Sequence, residues 1–273
     1  MPRFFSACSI TLALTATLCA SAAHAATPCP QAADIVRAIW PSASGPDANG
    51  RMPLGDSHSM ARIPLREFES VPRVACKVWP ADSNLMLAAV PVLADVPESD
   101  DGNTGDLGLY VLDAHTLQVR QSLRITGLMT DDAVRIFDVT LDTARYSVDG
   151  KRAFGVRIAR ANGSQPNPFQ ETSLRLFVPE GDSLRMALDG VSMERLQGEY
   201  DTRCKGEFIR TRRTLAMSGR NLMATEVATT TRADEKNGEC VEATVATTRH
   251  RYTLPYEDGQ FLIPIALVSM DNE

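Results

Sequence analysis

The sequence predicts an all-β protein, an antiparallel meander folded into a two-layer β-sandwich-like body, with one short N-terminal helix. Apolar and polar residues alternate with period two from about residue 75 to the end of the chain, which is the pattern of half-buried strands. Dipeptides typical of tight hairpins interrupt this pattern at Asp149-Gly150, Asn237-Gly238 and Asp258-Gly259. Because no long helical pattern separates the strands, neighbouring strands are expected to run antiparallel.

The first predicted element is a helix over Gln31 to Trp40. Ile35 and Ile39 recur at helical spacing, and Pro41 ends the segment because proline cannot continue a helix. Residues 41–60 are rich in Ser, Gly, Pro, Asp and Asn, and this composition predicts a loop.

The two clearest strands are Thr116–Ile125 and Ala153–Arg160, in which apolar and polar residues alternate. The other predicted strands are Leu85–Leu93, Leu107–Leu112, Ile136–Leu141, Leu174–Val178, Leu184–Leu188, Phe208–Met217, Leu222–Thr231, Val241–Leu254 and Phe261–Val268.

A second fold is suggested by two short segments. Tyr146–Phe154 resembles the strand–turn–strand of TolB-type propeller blades, and Leu109–Thr116 is similar to a turn between blade strands. This resemblance implies a partial β-propeller-like fold as the alternative to a sandwich. The pattern does not recur at the period of about 40–50 residues that a propeller requires, so the sandwich is the leading prediction.

The N-terminus has the order of a secretory signal peptide. Arg3 precedes the uncharged stretch Phe4 to Ala20, and Ala23-His24-Ala25 fits the small-x-small site of a signal peptidase. The sequence therefore predicts cleavage near Ala25 and a periplasmic or secreted protein without a membrane span. Residues 1–25 would be the signal peptide, 26–74 an N-terminal helix and loop segment, and 75–273 the antiparallel β domain.

The cysteines support an oxidising compartment. Removal of the signal peptide leaves Cys29, Cys76, Cys204 and Cys240, and an even number in an exported chain indicates two disulfides. Three connectivities are possible, and we expect the sequential one, in which the first cysteine pairs with the second and the third with the fourth.

The turns at the end of the chain predict the register of three strands. If Ser218–Asn221 is a four-residue turn and Asn237-Gly238 is a two-residue turn, Glu226 lies opposite Arg213 on one side and Arg249 on the other. Such a charge ladder keeps the two arginines apart with the acid between them.

The same register divides these strands into two faces. The face of the ladder is expected to be the inner one, because most of its other residues are apolar: Ile209, Leu215, Met217, Leu222, Ala224, Ala228, Val241, Ala243 and Val245. The opposite face is basic and rich in threonine, which suits either a partner surface or a solvated sheet. The candidate binding surface of this region comprises Arg210, Arg212, Arg213, Glu226, Arg249 and His250.

The register also tests the second disulfide. Cys204 and Cys240 fall on either side of Glu235, about 9.5 Å apart across two strand spacings, whereas a disulfide requires about 7 Å or less between Cα atoms. The bond therefore predicts that the middle strand ends early, near Arg232.

Charge and motifs exclude several classes of protein. A formal net charge of −6 argues against a dedicated nucleic-acid binder, and the sequence contains no H-E-x-x-H, G-x-S-x-G or Gly-rich phosphate loop. Gly55-Asp56-Ser57-His58 is similar to the GDS block of some esterases, but no buried strand precedes it and no Asp-x-x-His follows near the C-terminus. We predict no catalytic residue, metal or cofactor.

One acidic loop invites a cation-binding hypothesis. Its oxygen ligands would come from Asp95, Glu98, Asp100, Asp101, Asn103 and Asp106. The spacing does not match an EF-hand, so a solvated acidic loop is the preferred interpretation of residues 95–106.

The leading functional hypothesis is an exported, non-enzymatic protein that binds a protein or envelope partner, as an inhibitor, immunity-type or envelope accessory protein. An envelope hydrolase with a dispersed active site is the first alternative, and convergent buried acids, histidine or serine in one deep pocket would favour it. A structural scaffold without a defined pocket is the second.

Overall fold

A computed structural model describes residues 29–56, 58–64, 71–95 and 102–272. The predicted signal peptide and Ser57 lie outside the described residues. Helix α1 spans Ala32–Ile39, and fifteen strands follow it: β1 (Arg51–Pro53), β2 (Ser59–Arg62), β3 (Ala75–Val78), β4 (Leu85–Ala94), β5 (Gly105–Asp113), β6 (Val119–Ile125), β7 (Val134–Val148), β8 (Lys151–Asn162), β9 (Phe169–Glu180), β10 (Ser183–Tyr200), β11 (Gly206–Ser218), β12 (Asn221–Lys236), β13 (Glu239–Leu254), β14 (Tyr256–Glu257) and β15 (Gln260–Phe261).

The strands form two layers. β1, β2, β4, β5 and β6 pair in that order, with β3 also paired to β4, and β7 to β13 form a meander in which each strand pairs antiparallel with the next. A single parallel bridge between Ser122 and Ser183 joins the layers into one sheet. The all-β fold is confirmed, and its layered arrangement fits the predicted sandwich rather than the separate blades of the propeller alternative.

The main core lies between the layers. Leu87 and Leu109 of the first layer pack with Val139, Phe154 and Phe177 of the second in one cluster of buried side chains. Each of these residues has neighbours on its strand that face away, so the period-two pattern of the sequence supplies a continuous apolar face on each layer.

The outer faces of both layers are also partly covered. Helix α1 buries Ile35 and Val36 against Ala88 and Val90 of β4, and the Cys29–Cys76 disulfide ties the start of this helix to β3. The C-terminal segment covers the second layer through residues that include Leu267. The predicted pairing of the first two cysteines is confirmed.

The predicted hairpin turns have the backbone that their dipeptides favour. At Asp149-Gly150 the φ angles are 50° and 74°, and at Asp258-Gly259 they are 47° and 88°. Two consecutive residues with positive φ are the mark of a type I′ turn, which glycine adopts without steric cost.

Two predictions outside the meander are wrong. Residues 41–60 are not all loop, because β1 and the start of β2 form a small hairpin against β4. Phe261–Val268 is not a strand: β15 ends at Phe261, and a 3₁₀ turn over Ile265–Leu267 follows Pro264, since proline has no N–H to donate to a ladder.

Within the ranges described above, no helix has the length and apolar composition needed to cross a membrane.

Candidate functional site

The last three strands of the meander extend beyond the core. In β13, every residue from Glu239 to Arg251 is exposed, on both faces of the sheet. β13 is also the last strand of its layer and, within the described part of the chain, it pairs only with β12. This three-stranded extension therefore offers two faces and one open edge.

The turns that set the register of the extension are confirmed. Met217 lies opposite Leu222 across the first turn, and Lys236 lies opposite Glu239 across the second. The residues of the Asn237-Gly238 turn have φ angles of 56° and 83°, as a type I′ turn requires.

A β-bulge in β13 then changes the predicted register. Thr230 lies opposite Ala246, whereas the next residue, Thr231, lies opposite Thr244. Val245 is therefore an extra residue without a counterpart on β12. On the C-terminal side of the bulge, each residue of β13 is displaced by one position and points to the face opposite to the predicted one.

The predicted charge ladder is consequently correct on one side only. Arg213 lies opposite Glu226 as expected, but Glu226 lies opposite His250, and Arg249 lies opposite Val227. The prediction of Arg249 as the third rung is wrong, because the bulge moves this side chain to the basic face and brings His250 to the face of Glu226.

The remaining rung is a structural ion pair. Arg213 Nε donates to Glu226 Oε2 at 2.8 Å, while its Nη1 and Nη2 donate to the carbonyl oxygens of Ser192 at 2.7 Å and Ala266 at 3.2 Å. Both charged side chains are about nine-tenths buried. Arg213 thus holds β10, β12 and the C-terminal segment together and is not available to a partner.

The face of the sheet that carries Arg213 and Glu226 is buried only at the end of the extension nearest the core. Leu222 and Ala224 are fully buried, whereas Ile209, Val241 and Val245 are 36%, 38% and 50% exposed. The expectation of a continuous inner face is therefore wrong toward the tip, because the C-terminal segment and the facing strands do not extend that far.

The opposite face carries a group of four arginines, which we call the arginine face: Arg210, Arg212, Arg249 and Arg251. All four side chains are exposed, and none makes a hydrogen bond or ion pair with a described residue. Arg212 and Arg249 flank Val227 in one row, about 10 Å apart, and their neighbours along each strand lie about 7 Å away.

The neighbours of the arginine face are mostly hydroxyl groups. Thr214 and Thr225 share a row with Arg251, and Thr229 and Thr247 share a row with Arg210. Glu194 of β10 lies opposite Arg212 and is exposed, so one acid borders the group. Arg251 is not predictable as a member of this surface, because nothing in Thr244–Thr247 marks a bulge in the way that a glycine would.

The second disulfide closes the tip of the extension. Cys204 and Cys240 are bonded, as predicted, with their Cα atoms 5.4 Å apart. The middle strand does not end near Arg232, since β12 continues to Lys236. The geometry is instead satisfied because Cys204 lies outside the ladder, in the bend between β10 and β11.

Two small clefts lie in the described part of the chain. The smaller one borders the arginine face, since Arg210 and Glu194 line it together with Glu171. The larger, of about 280 Å³, is lined by residues that include Asp149, Arg220 and Tyr256. The Tyr256 hydroxyl donates to the Asp149 carboxylate, and burial together with this bond raises the pKa of Tyr256. The described histidines, His58, His115 and His250, are exposed and line neither this cleft nor the smaller one of about 50 Å³.

The buried carboxylates are engaged in structural contacts. Glu171 accepts hydrogen bonds from Arg195 Nε and from the backbone N–H of Met270, each at 2.8 Å. Asp131 accepts from the backbone N–H groups of Asn103 at 2.7 Å and Ile136 at 2.8 Å. Both acids fix loops or the C-terminal segment. Glu171 also lines the smaller cleft with Glu194, but its carboxylate is already engaged by Arg195 and Met270.

The described ends of the acidic loop are also engaged. Asp95 forms an ion pair with Arg51 at 2.6 Å, and Asp106 forms one with Arg124 at 2.6 Å. Glu98, Asp100 and Asp101 lie outside the described residues. Among the residues that are described, no group of three or more His, Cys, Asp or Glu could hold a metal ion.

The esterase-like segment has local hydrogen bonds. Asp56 accepts from the backbone N–H groups of His58 at 3.0 Å and Ser59 at 2.7 Å. These bonds lower the pKa of Asp56 and are typical of an Asx turn.

Comparison with models of protein families, with curated proteins and with solved structures finds no match for this chain.

Proposed function

We propose that this chain is an exported protein, periplasmic or secreted after cleavage near Ala25, which binds another protein through its arginine face. In this function the surface holds a partner and performs no reaction on it. The two disulfides support an oxidising compartment, since such bonds are rare in the reducing cytosol.

The observation that carries the proposal is the absence of partners for four neighbouring arginines in the described part of the chain. Guanidinium groups form bidentate hydrogen bonds with carboxylates, and the threonines between them add donors and acceptors. The partner is therefore expected to present a carboxylate-rich surface.

The sheet beneath the arginine face is held in place before any partner arrives. The Arg213–Glu226 ion pair fixes it from the other side, and the Cys204–Cys240 disulfide closes its tip. A surface that is ordered in advance loses less conformational entropy on binding.

The experiment uses the mature, oxidised chain as bait in a periplasmic or secreted fraction of the source cells. The variants R210Q/R212Q and R249Q/R251Q each remove two charges from the arginine face. The matched control is R145Q/K151Q, which removes two exposed charges from the β7–β8 hairpin.

We expect the unmodified chain to capture an acidic protein at low salt, and capture to fall as salt shortens the Debye length from about 10 Å at 0.1 M to about 3 Å at 1 M. Each pair of substitutions on the arginine face should weaken binding at least about tenfold, equivalent to about 1.4 kcal/mol. Equal capture by these variants and by the control, or no capture at low salt, would contradict the proposal.

A further inference from the structure

The open edge of β13 is the second unusual feature of the extension. An edge strand exposes backbone N–H and C=O groups that can pair with another strand, and proteins commonly shorten or cover such edges. β13 is 16 residues long, and Glu239 to Arg251 are exposed on both faces. Its length and exposure are those of a strand that takes part in pairing.

The charges of β13 have opposite signs at its two ends. Its N-terminal part carries Glu239 and Glu242, its C-terminal part carries Arg249 and Arg251, and the stretch Ala243–Thr248 between them is uncharged. In an antiparallel pair of identical strands, the N-terminal part of one lies opposite the C-terminal part of the other. The acids of each strand would then meet the arginines of its copy.

The bulge places Glu242 and Arg249 of β13 on the same face of the sheet, which their pairing requires. In a regular strand Glu242 and Arg249 would point to opposite faces, because seven positions separate them. The extra residue Val245 removes this mismatch, so that both side chains lie on the arginine face. Residues that pair in an antiparallel ladder point to the same face of the sheet. Glu242 of one copy can therefore pair with Arg249 of the other across a two-fold axis only because of the bulge.

We propose that two copies of this chain associate through β13 in an antiparallel, two-fold symmetric pair. Val245 of one copy lies opposite Ala246 of the other, and Glu242 of each copy lies opposite Arg249 of the other. This register forms about a dozen backbone hydrogen bonds and two equivalent ion pairs. The surface is isologous, as two-fold symmetry requires.

The proposed pair would extend the arginine face. The two-fold axis of an antiparallel ladder is perpendicular to the sheet, so the same face of both copies points to one side. The dimer would therefore present both arginine faces on one continuous sheet, with each Arg249 paired to Glu242 of the other copy and Arg210, Arg212 and Arg251 left open to a protein partner. Dimer formation does not require that partner. Because R249Q/R251Q also removes the ion pairs of the dimer, R210Q/R212Q is the variant that separates loss of the partner from loss of the dimer.

The test is a charge reversal followed by its compensation. Sedimentation or light scattering of the oxidised, mature chain should give twice the monomer mass, with dissociation on dilution. E242R places like charges opposite each other at both symmetric positions, and we expect the dimer dissociation constant to rise about tenfold or more. The double variant E242R/R249E exchanges the two charges and should restore the dimer.

Two results would overturn the proposal. A chain that remains monomeric at every concentration would show that the bulge serves to protect the edge, as bulges do in other sheets. A dimer that is insensitive to E242R, or that E242R/R249E fails to restore, would show that the copies meet elsewhere. The matched control is E257R, a reversal of another exposed acid, on β14, which has no ion pair in the described part of the chain and should leave the dimer unchanged.

Discussion

Arg175 and Asp271 lie 96 residues apart in the chain and form a buried ion pair, with Arg175 Nη1 2.8 Å from Asp271 Oδ2. Their side chains are only 2% and 4% exposed. Ser173 Oγ also donates to Asp271 Oδ2 at 3.1 Å, and Arg160 Nε lies 3.3 Å from the other carboxylate oxygen, as a charge contact rather than a hydrogen bond. This group fixes the C-terminal segment to β8 and β9.

Removal of Asp271 should therefore cost much of the stability of the protein. In D271A, Arg175 and Arg160 stay buried without this carboxylate. Asp189, which accepts a hydrogen bond from Arg175 Nε at 2.8 Å, compensates only in part. We expect the free energy of unfolding to fall by about 3–5 kcal/mol, measured by urea denaturation. The control is D34A, which breaks the exposed pair with Arg37 and should cost about 1 kcal/mol or less. Equal effects of both variants would contradict the structural role of the buried pair.

The same carboxylate should make stability depend on acid pH. Burial alone would raise the pKa of Asp271, but the charges of Arg175 and Arg160 outweigh it, and the pKa lies below its ordinary value of 3.8. A lowered pKa in the folded state stabilises the fold above the unfolded pKa, and this contribution is lost as the pH falls through the folded pKa.

The difference in unfolding free energy between the unmodified chain and D271N should thus be constant above about pH 5 and shrink below about pH 4. Urea titrations at a series of pH values measure this difference. A difference that does not change with pH would show that Asp271 does not titrate in the way its contacts imply.

The two disulfides should differ in what they stabilise. The Cys29–Cys76 bond closes a 47-residue separation and anchors helix α1, and C29S/C76S should lower the free energy of unfolding by about 4 kcal/mol. C204S/C240S should instead increase hydrogen exchange at the tip of β12 and β13, because the extension projects beyond the core. Loss of protection throughout the molecule in C204S/C240S would contradict a local role. As a control, the mass of the unmodified chain should increase by four hydrogens when reductant is added, which shows that both disulfides are formed.

Deletion of Val245 should be tolerated. The residues on both sides of the bulge can keep their present partners on β12, and Glu226 still lies opposite His250. We expect the free energy of unfolding to change by about 1 kcal/mol or less, with cross-strand nuclear Overhauser effects between β12 and β13 retained. Deletion of Thr229 is the control: this residue pairs with both Arg210 and Thr247, so its loss disturbs two ladders and should destabilise strongly. Equal destabilisation by both deletions would indicate that the bulge is required for folding.

Local patterns predict most of the strands and the hairpins. The turns at Asp149-Gly150 and Asn237-Gly238 follow from dipeptides that accept positive φ, and turn length together with alternation places Arg213 opposite Glu226. Each of these features depends on residues close together in the sequence. The sequential disulfides are also predictable, although the route by which Cys204 reaches Cys240 is not.

Most strands of the meander, the residues that turn between them and the pairing of the four described cysteines follow from the amino-acid sequence alone, whereas the β1–β2 hairpin and the end of β15 at Phe261 do not. The face that Arg249 and His250 occupy depends on the three-dimensional fold, since a bulge on an exposed strand disturbs no buried contact and so leaves no mark in the hydrophobic pattern. The same holds for Arg175 and Asp271, whose contact depends on where the C-terminal segment crosses the sheet. Packing over long separations in the chain sets that path, and local alternation carries no information about it.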